Sequence, residues 1–506
     1  MSEPPRRISR TLLWIGLTFA FFLWRAPGFD FFLYDGDVDH GYQVALGQQA
    51  FAGSTPGVDF FTQYGPAISW MAAASWRTGH PWLAEVVSWC LFLSLGYGLL
   101  WHWLGQDRHP LRKAGVLLPA LLFAPFYAKY YFVFFPVLFL VVLGDGPGRD
   151  PCPVRAGRWL LAGLIAGLAG LFRIELGLAL AFAGTIFLGW DDVIQRRTPR
   201  AAIWLLAGAA LVTGIFCAHL IIRAHSYHAP INFLDFEWAA ILGKMAAFNR
   251  NEVAMHGPFQ RGAAGAWCLV VLAILYGGVA LLGLRAHWRE KYPRRVWAAG
   301  LIGCALLPHV MHNTGVTYAL QISLPAEGIV AAVCLTRWDS AVNFRRLLLG
   351  LYFTIGLSLR LGHANAGYVD WRQPLPARMH SLASGVPIVS RARSDPLLIA
   401  AINRHTKTEA RILIMSLDSR FYALSRHPWA GLIPHLAIPL PIRWQQRCVE
   451  ALRRDPPALV LMRDVAQAPA TSFNYFGRNP VIEEYISTNY TLIDRSVPGW
   501  FLLKPR

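Results

Sequence analysis

The chain has 506 residues, 55% of them hydrophobic and only 15% charged, with a mean hydropathy of +0.37. That balance is too apolar for a soluble protein of this length and places the chain in the membrane class. The formal charge of +18 does not mark a nucleic-acid binder, because the basic residues are dispersed in short loops between apolar runs.

The N-terminal MSEPPRRISR precedes an apolar run from Leu12 to Trp24. No small-residue cleavage site follows and many more apolar runs do, which predicts an uncleaved signal-anchor helix. Further runs occupy about 82–104, 114–127, 130–143, 159–172, 176–190, 201–222, 263–284, 298–311, 318–336 and 347–361, giving about 11 transmembrane helices. A straight span needs roughly 20 apolar residues. The runs 114–127, 130–143, 159–172 and 176–190 fall short, so each adjoining pair reads either as two spans or as one re-entrant hairpin.

Alternate loops differ sharply in Lys and Arg. One side receives Arg6, Arg7 and Arg10, then Arg108, Arg112 and Lys113, Arg149, Arg155 and Arg158, Arg196, Arg197 and Arg200, and the Arg285–Arg295 and Arg337–Arg346 groups. The positive-inside rule assigns that side to the cytoplasm. The loop at 29–81 and everything after Gly362 then emerge on the opposite face. Five of the seven cysteines lie inside apolar runs, and no pair has metal-ligand spacing or suggests a disulfide framework.

Residues 1–361 thus read as a polytopic domain and 362–506 as a small extracytoplasmic α/β domain. In the latter, Leu397–Arg404, Arg443–Arg454 and Pro480–Thr488 read as helices, and Arg411–Met415, Ala458–Met462 and the segments near Tyr490 and Trp500 as strands. It has no Gly-rich phosphate loop and no paired Cys/His, which makes it a lid or packing module with no chemistry of its own.

Chemistry concentrates between Asp35 and Trp76. Three carboxylates, Asp35, Asp37 and Asp39, fall within five residues of sequence after the first run. Asp39–Phe51 then forms an amphipathic segment too polar to span, and Gly65–Trp76, with Pro66 in the first turn, has a membrane-surface composition. Two interfacial helices here would fence off a cavity at the outer leaflet. The competing reading of the aspartates is helix-end trim, as N-caps and dipole partners. His40, at a helix start, serves either a proton or metal role or that of a surface donor.

This loop resembles the first external loop of the GT-C integral-membrane glycosyltransferases, which include the lipid A aminoarabinose transferase and the protein O-mannosyltransferases. Asp39, Gly41 and Tyr42 match the family's Asp-Glu-Gly-Tyr, and Asp59, Phe60, Phe61, Gly65 and Pro66 match its later Asp-Phe-Phe and Gly-Pro. The resemblance implies a polyprenyl-phosphate sugar donor, a hydroxyl acceptor on a lipid, polysaccharide or protein, and inverting transfer on the periplasmic face of a bacterial inner membrane. Such a reaction needs a carboxylate to take the acceptor's proton and cations or donors to hold the leaving phosphate. Asp39 is the implied base and Asp37 its rival. His40 stands where the family has Glu, and Tyr64 stands where some members place a Lys toward the donor phosphate, which leaves Arg173 as the candidate cation. Asp37, Asp39 and His40 could hold a divalent ion, but several members work without one and no metal is expected.

Three further places carry chemistry-bearing residues. Asp59 lies in the turn between the two short helices, as a cap or a substrate contact. Arg173-Ile174-Glu175 falls where two runs meet on the outer side, and charges at membrane depth are either used or mutually paired. His309, His312 and Asn313 read as interfacial polar residues. Two other classes remain: a transporter or flippase of lipid-linked glycans, which calls for mid-span ionisable residues or broken, repeated halves, and a noncatalytic membrane subunit.

Overall fold

A computed structural model describes residues 4–30, 38–62, 64–105, 110–122, 129–144, 153–226, 263–285, 294–311, 322–335, 373–386, 388, 394–416, 418–434, 436, 440–463 and 479–506. Among them, ten apolar runs form helices: α1 (Pro4–Arg25), α4 (Pro81–Trp103), α5 (Pro110–Leu122), α6 (Tyr131–Leu143), α7 (Pro153–Phe172), α8 (Ile174–Ile194), α9 (Arg200–Ser226), α10 (Ala263–Gly283), α11 (Arg294–Met311) and α12 (Ser323–Leu335). The short helices α2 (Val38–Phe51) and α3 (Pro66–Arg77) lie between α1 and α4. The run at 347–361 and the loop from 227 to 262 lie outside the described residues. Pro81–Trp103, Ile174–Ile194 and Arg200–Arg223 are long and apolar enough to cross a membrane.

The chain divides into two compact units, one of residues 1–26, 87–216 and 256–368, the other of 27–86, 217–255 and 369–506. In the first, α7 and α8 have 20 and 21 residues, about 30 Å each at 1.5 Å per residue, so the 159–172 and 176–190 runs are two full-length helices turning at Arg173. Small residues let backbones touch, as between membrane helices generally. A Cβ on Gly177 would stand 2.6 Å from the Gly170 Cα, and one on Gly163 would stand 1.9 Å from the Leu205 carbonyl oxygen. Basic residues of the Arg-rich loops also satisfy helix C-termini. Lys113 Nζ donates to the carbonyls of Trp101 and, at 2.8 Å, Gly105, and Arg295 Nη1 donates to Trp103 O at 2.9 Å, all at the end of α4. Arg158 does the same for α6 through Val141 and Val142.

The second unit holds α2, α3, α13 (Leu375–Ser384), α14 (Ser394–His405), β1 (Ile412–Met415), α15 (Arg420–Ser425), α16 (Ile442–Arg454), β2 (Leu459–Arg463), α17 (Pro480–Asn489), β3 (Tyr490–Asp494) and β4 (Trp500–Pro505). The strands form a sheet in the order β1-β2-β4-β3, with β1 parallel to β2 and the other two pairings antiparallel. One stripe of α16, with Trp444, Cys448 and Leu452 at i, i+4 and i+8, packs on Leu413 and Val460 of the sheet and on Ile482 and Ile486 of α17. Arg443, Arg447 and Arg453 stay off that stripe.

The segment between α2 and α3 enters this same core. Phe61 is 2% exposed within it, with its ring edge-to-face on Trp444 at 5.0 Å and its N–H donating to Leu432 O at 2.8 Å. Phe60 meets Trp429 edge-to-face at 5.3 Å. α2 does not lie open on one side: from Gly41 to Gly47 it is buried throughout, held between α3 and α15. Its glycines allow this. A Cβ on Gly47 would stand 2.4 Å from the backbone carbonyl carbon of Ala72 on α3, and one on Gly41 would stand 2.2 Å from the Arg420 Cβ on α15. α3 keeps an exposed face, with Trp70 38% accessible.

Candidate functional site

The acidic stretch enters α2 at Val38, so Asp39 stands in the first helical turn. Asp35 and Asp37 lie outside the described residues, and of Asp39 and His40 the backbone alone is described. Positions 39, 43 and 46 share one stripe of the helix by the i, i+4, i+7 rule. Gln43 and Leu46 on that stripe are fully buried. Beside it, Tyr42 donates from its hydroxyl to Thr62 Oγ1 at 2.9 Å, and the same oxygen accepts the Tyr64 N–H at 2.9 Å. The Tyr42 and Tyr64 rings are 5.4 Å apart. The stretch after the DFF motif thus folds back onto the beginning of α2 and brings Tyr64 to it. Asp59 takes another course. Its carboxylate accepts the Thr55 N–H at 2.6 Å while its own N–H donates to Thr55 O at 2.9 Å, so it closes its own turn.

A second group of charges forms in the other unit, where α7 ends and α8 begins. Arg173, 6% exposed, adopts an extended N-cap conformation (φ −153°, ψ 122°) and donates from Nε to Glu175 Oε1 at 2.7 Å. The same oxygen stands 3.3 Å from His309 Nδ1 on α11, and the imidazole stacks on Phe132 at 4.3 Å. Lys129, 6% exposed, lies within electrostatic range of His309. The Arg173–Glu175 pairing follows the ion-pair reading. The His309 side chain is only 5% exposed and packs against Phe132 and Glu175. His312 and Asn313 lie outside the described residues.

Two features escaped the sequence reading. Lys129 was legible only as an isolated basic residue beside an aromatic run. Glu327, within the apolar helix α12, accepts from Ser323 Oγ at 3.0 Å and from the Tyr97 hydroxyl at 3.5 Å, a carboxylate inside a run that reads as uniformly apolar. Among the described residues no three His, Cys, Asp or Glu side chains cluster closely enough to hold a metal ion.

No protein-family model matches the sequence, and no curated protein matches it either. Solved structures do. The crystal structure of ArnT from Cupriavidus metallidurans, bound to undecaprenyl phosphate, matches over 99% of this chain and 98% of its own, with 13% identity and a TM-score of 0.51. The chain shares the fold of that protein. At that identity the likeness speaks for the fold alone, and it extends over nearly the whole of both chains. The oligosaccharyltransferase of Archaeoglobus fulgidus, in complex with Zn and sulfate, matches over 92% of this chain and 69% of its own, with 10% identity and a TM-score of 0.38, too low to bear on the argument.

Proposed function

We propose that the protein is a membrane glycosyltransferase that moves a sugar from a polyprenyl-phosphate donor to an acceptor hydroxyl on the periplasmic face of a bacterial inner membrane. The observation that carries this reading is the end-to-end likeness to ArnT, a protein crystallised with undecaprenyl phosphate, in a chain whose Asp39 opens the first helix of the external loop.

In this reading Asp39 takes the proton of the acceptor hydroxyl as its oxygen attacks the anomeric carbon, while the bond to the phosphate breaks from the opposite face and the configuration inverts. A positioned base of this kind contributes typically 10²–10⁴-fold. The leaving phosphate departs as an anion and needs no proton, only countercharge. Arg173 and Lys129 supply that charge, with Glu175 and His309 fixing the Arg173 guanidinium. Asp59, which closes its own turn through Thr55, shapes the loop.

The test is transfer from a panel of undecaprenyl-phosphate sugars by membranes carrying the protein or its variants. Asp39→Asn is expected to insert normally and lose transfer by at least 10²-fold, and Arg173→Ala to weaken donor use. Activity surviving in both Asp39→Asn and Asp37→Asn rejects a carboxylate base in this loop. Reporter fusions after Trp76 and Gly362 are expected to read external, and a cytoplasmic signal at either site rejects the orientation.

A further inference from the structure

At the end of α4, on the side of the Arg-rich loops, the first compact unit gathers hydrogen-bond donors. Trp103 closes the helix, and the chain turns at Gly105, where a φ of +81° suits glycine. Two cations from other helices meet at that turn. Lys113 of α5, 3% exposed, donates from Nζ to Trp101 O and, at 2.8 Å, to Gly105 O, with its ammonium 4.4 Å from the Trp101 ring. Arg295 of α11 donates from Nη1 to Trp103 O at 2.9 Å and lies over the Trp103 ring at 5.6 Å. A Cβ on Gly105 would stand 3.5 Å from both of its Nη atoms. From α1, Trp14 stacks on Trp101 at 4.7 Å. All six residues belong to the same compact unit.

Donors outnumber acceptors at this corner. A guanidinium has five N–H groups, and the bond to Trp103 O uses one. Among the described residues the buried Arg295 Nε has no acceptor, and neither have the buried indole N–H groups of Trp14 and Trp103. Buried donors left unpaired are costly, and each calls for an acceptor. The carboxylate that reaches the start of α11, Asp191, is paired with Arg294. The Nε–Nη2 edge of a guanidinium is the fork that takes an oxyanion through two parallel bonds. Residues 105–113 and 285–295, which border the corner in sequence, hold eight Lys and Arg against two Asp and Glu.

We infer that this corner binds the phosphate of an acidic phospholipid in the leaflet on the Arg-rich side, the cytoplasmic one by the positive-inside rule. A phosphate diester offers acceptors and negative charge, which answer the fork of Arg295 and the ammonium of Lys113, and tryptophans favour the headgroup level of a bilayer. Basic pockets between membrane helices on this side take such headgroups. A lipid held there ties α1, α4, α5 and α11 together at one end. Arg295 and His309 are 14 residues apart on α11, about 21 Å along its axis, so the site is separate from the Arg173 group and does not depend on the transfer reaction.

The experiment follows thermal unfolding of the full-length protein in neutral detergent as phosphatidylglycerol, phosphatidylcholine or glycerol 3-phosphate is added at matched concentrations. Phosphatidylglycerol is expected to raise the melting temperature progressively, as a ligand of the folded state does, and the other two to leave it unchanged. One basic residue at a charged membrane surface is worth about fivefold in affinity, so Arg295→Gln is expected to raise the midpoint of the phosphatidylglycerol titration by about that factor. Arg295→Gln also removes a helix cap, so the readout is the lipid-dependent rise and not the baseline melting temperature. Arg295→Lys, which keeps the charge and loses the fork, takes its place if Arg295→Gln does not fold, and a higher midpoint is expected there too. Arg77→Gln, at an exposed arginine ending α3, is the control and is expected to keep the wild-type midpoint. Equal rises with both phospholipids, an unchanged midpoint in the Arg295 variants, or an equal shift in Arg77→Gln overturns the inference. A rise with glycerol 3-phosphate that matches phosphatidylglycerol overturns the lipid as the source of the phosphate.

Discussion

Replacing Phe61 by Ala should loosen the whole sheet-containing unit even though residue 61 belongs to a loop more than 300 residues earlier in the chain than β1. The ring is almost wholly buried among Ala430, Leu436, Trp444 and Val460. A buried aromatic removes about 150–250 Å² from water, worth about 4–6 kcal/mol at about 25 cal/mol per Å². Because the extended-chain reference overstates burial, the observed span for Phe→Ala of about 3–5 kcal/mol is the better figure. Domains are stable by only about 5–15 kcal/mol, so the variant should lose about a fifth or more of that margin. Limited proteolysis of the membrane-inserted protein reads this directly, as faster cutting within 373–506 and within 52–66 together. The control is Phe51→Ala, at a residue 52% exposed, where a change within about 0.5 kcal/mol is expected. Equal protease resistance in Phe61→Ala and Phe51→Ala, or loss confined to the loop, would falsify the idea that loop and sheet share one core.

Gly47→Ala should destabilise the α2–α3 pair by about 1–3 kcal/mol, because the new methyl meets the Ala72 backbone, which cannot rotate away; a melting temperature equal to wild type in detergent would contradict the contact. Lys113→Met keeps an unbranched chain of similar length but removes the ammonium that lies over the Trp101 ring and donates to the Trp101 and Gly105 carbonyls. A loss of about 1–3 kcal/mol follows, measured by thermal denaturation in detergent. Asp494 is held down to about 2, chiefly by the Ser496 N–H and hydroxyl and further by His405, whose Nε2 stands 3.0 Å from its Oδ2. Its folded value lies below the unfolded one of about 3.9, so its stabilisation is present above about pH 4 and disappears as pH falls toward 2. Asp494→Asn should flatten that acid limb, and an identical limb in the variant would remove the assignment.

Local pattern carried much of the architecture into view. The period of α16 and the apolar runs of β1 and β2 placed those elements within a residue or two, and Pro66 marked the start of α3. What the pattern could not supply was the neighbour. α2 has the polarity of a surface helix because Gln43, Gln48 and Gln49 punctuate it, yet Gly41, Ala45 and Gly47 let two partners approach so closely that it is buried. Those partners lie more than 300 residues away for α15 and only across a turn for α3. The place of His309 beside Glu175 was illegible for the same reason: it depends on helices that are remote in sequence, and no spacing reports that. The six-residue α15 was missed because it is too short to show a period.

Phe60 and Phe61 leave the ribosome long before Trp429 and Trp444, their ring partners. At about 5–20 residues per second, the interval is on the order of 20–80 s. Throughout it two large aromatics wait without their cover, while every later apolar run is still being inserted. Assembly of the unit therefore has a fixed schedule, in which the earliest-made aromatics close last. Cells that synthesise this protein must shelter that loop for the better part of a minute, and slowing elongation should lengthen its exposure in proportion.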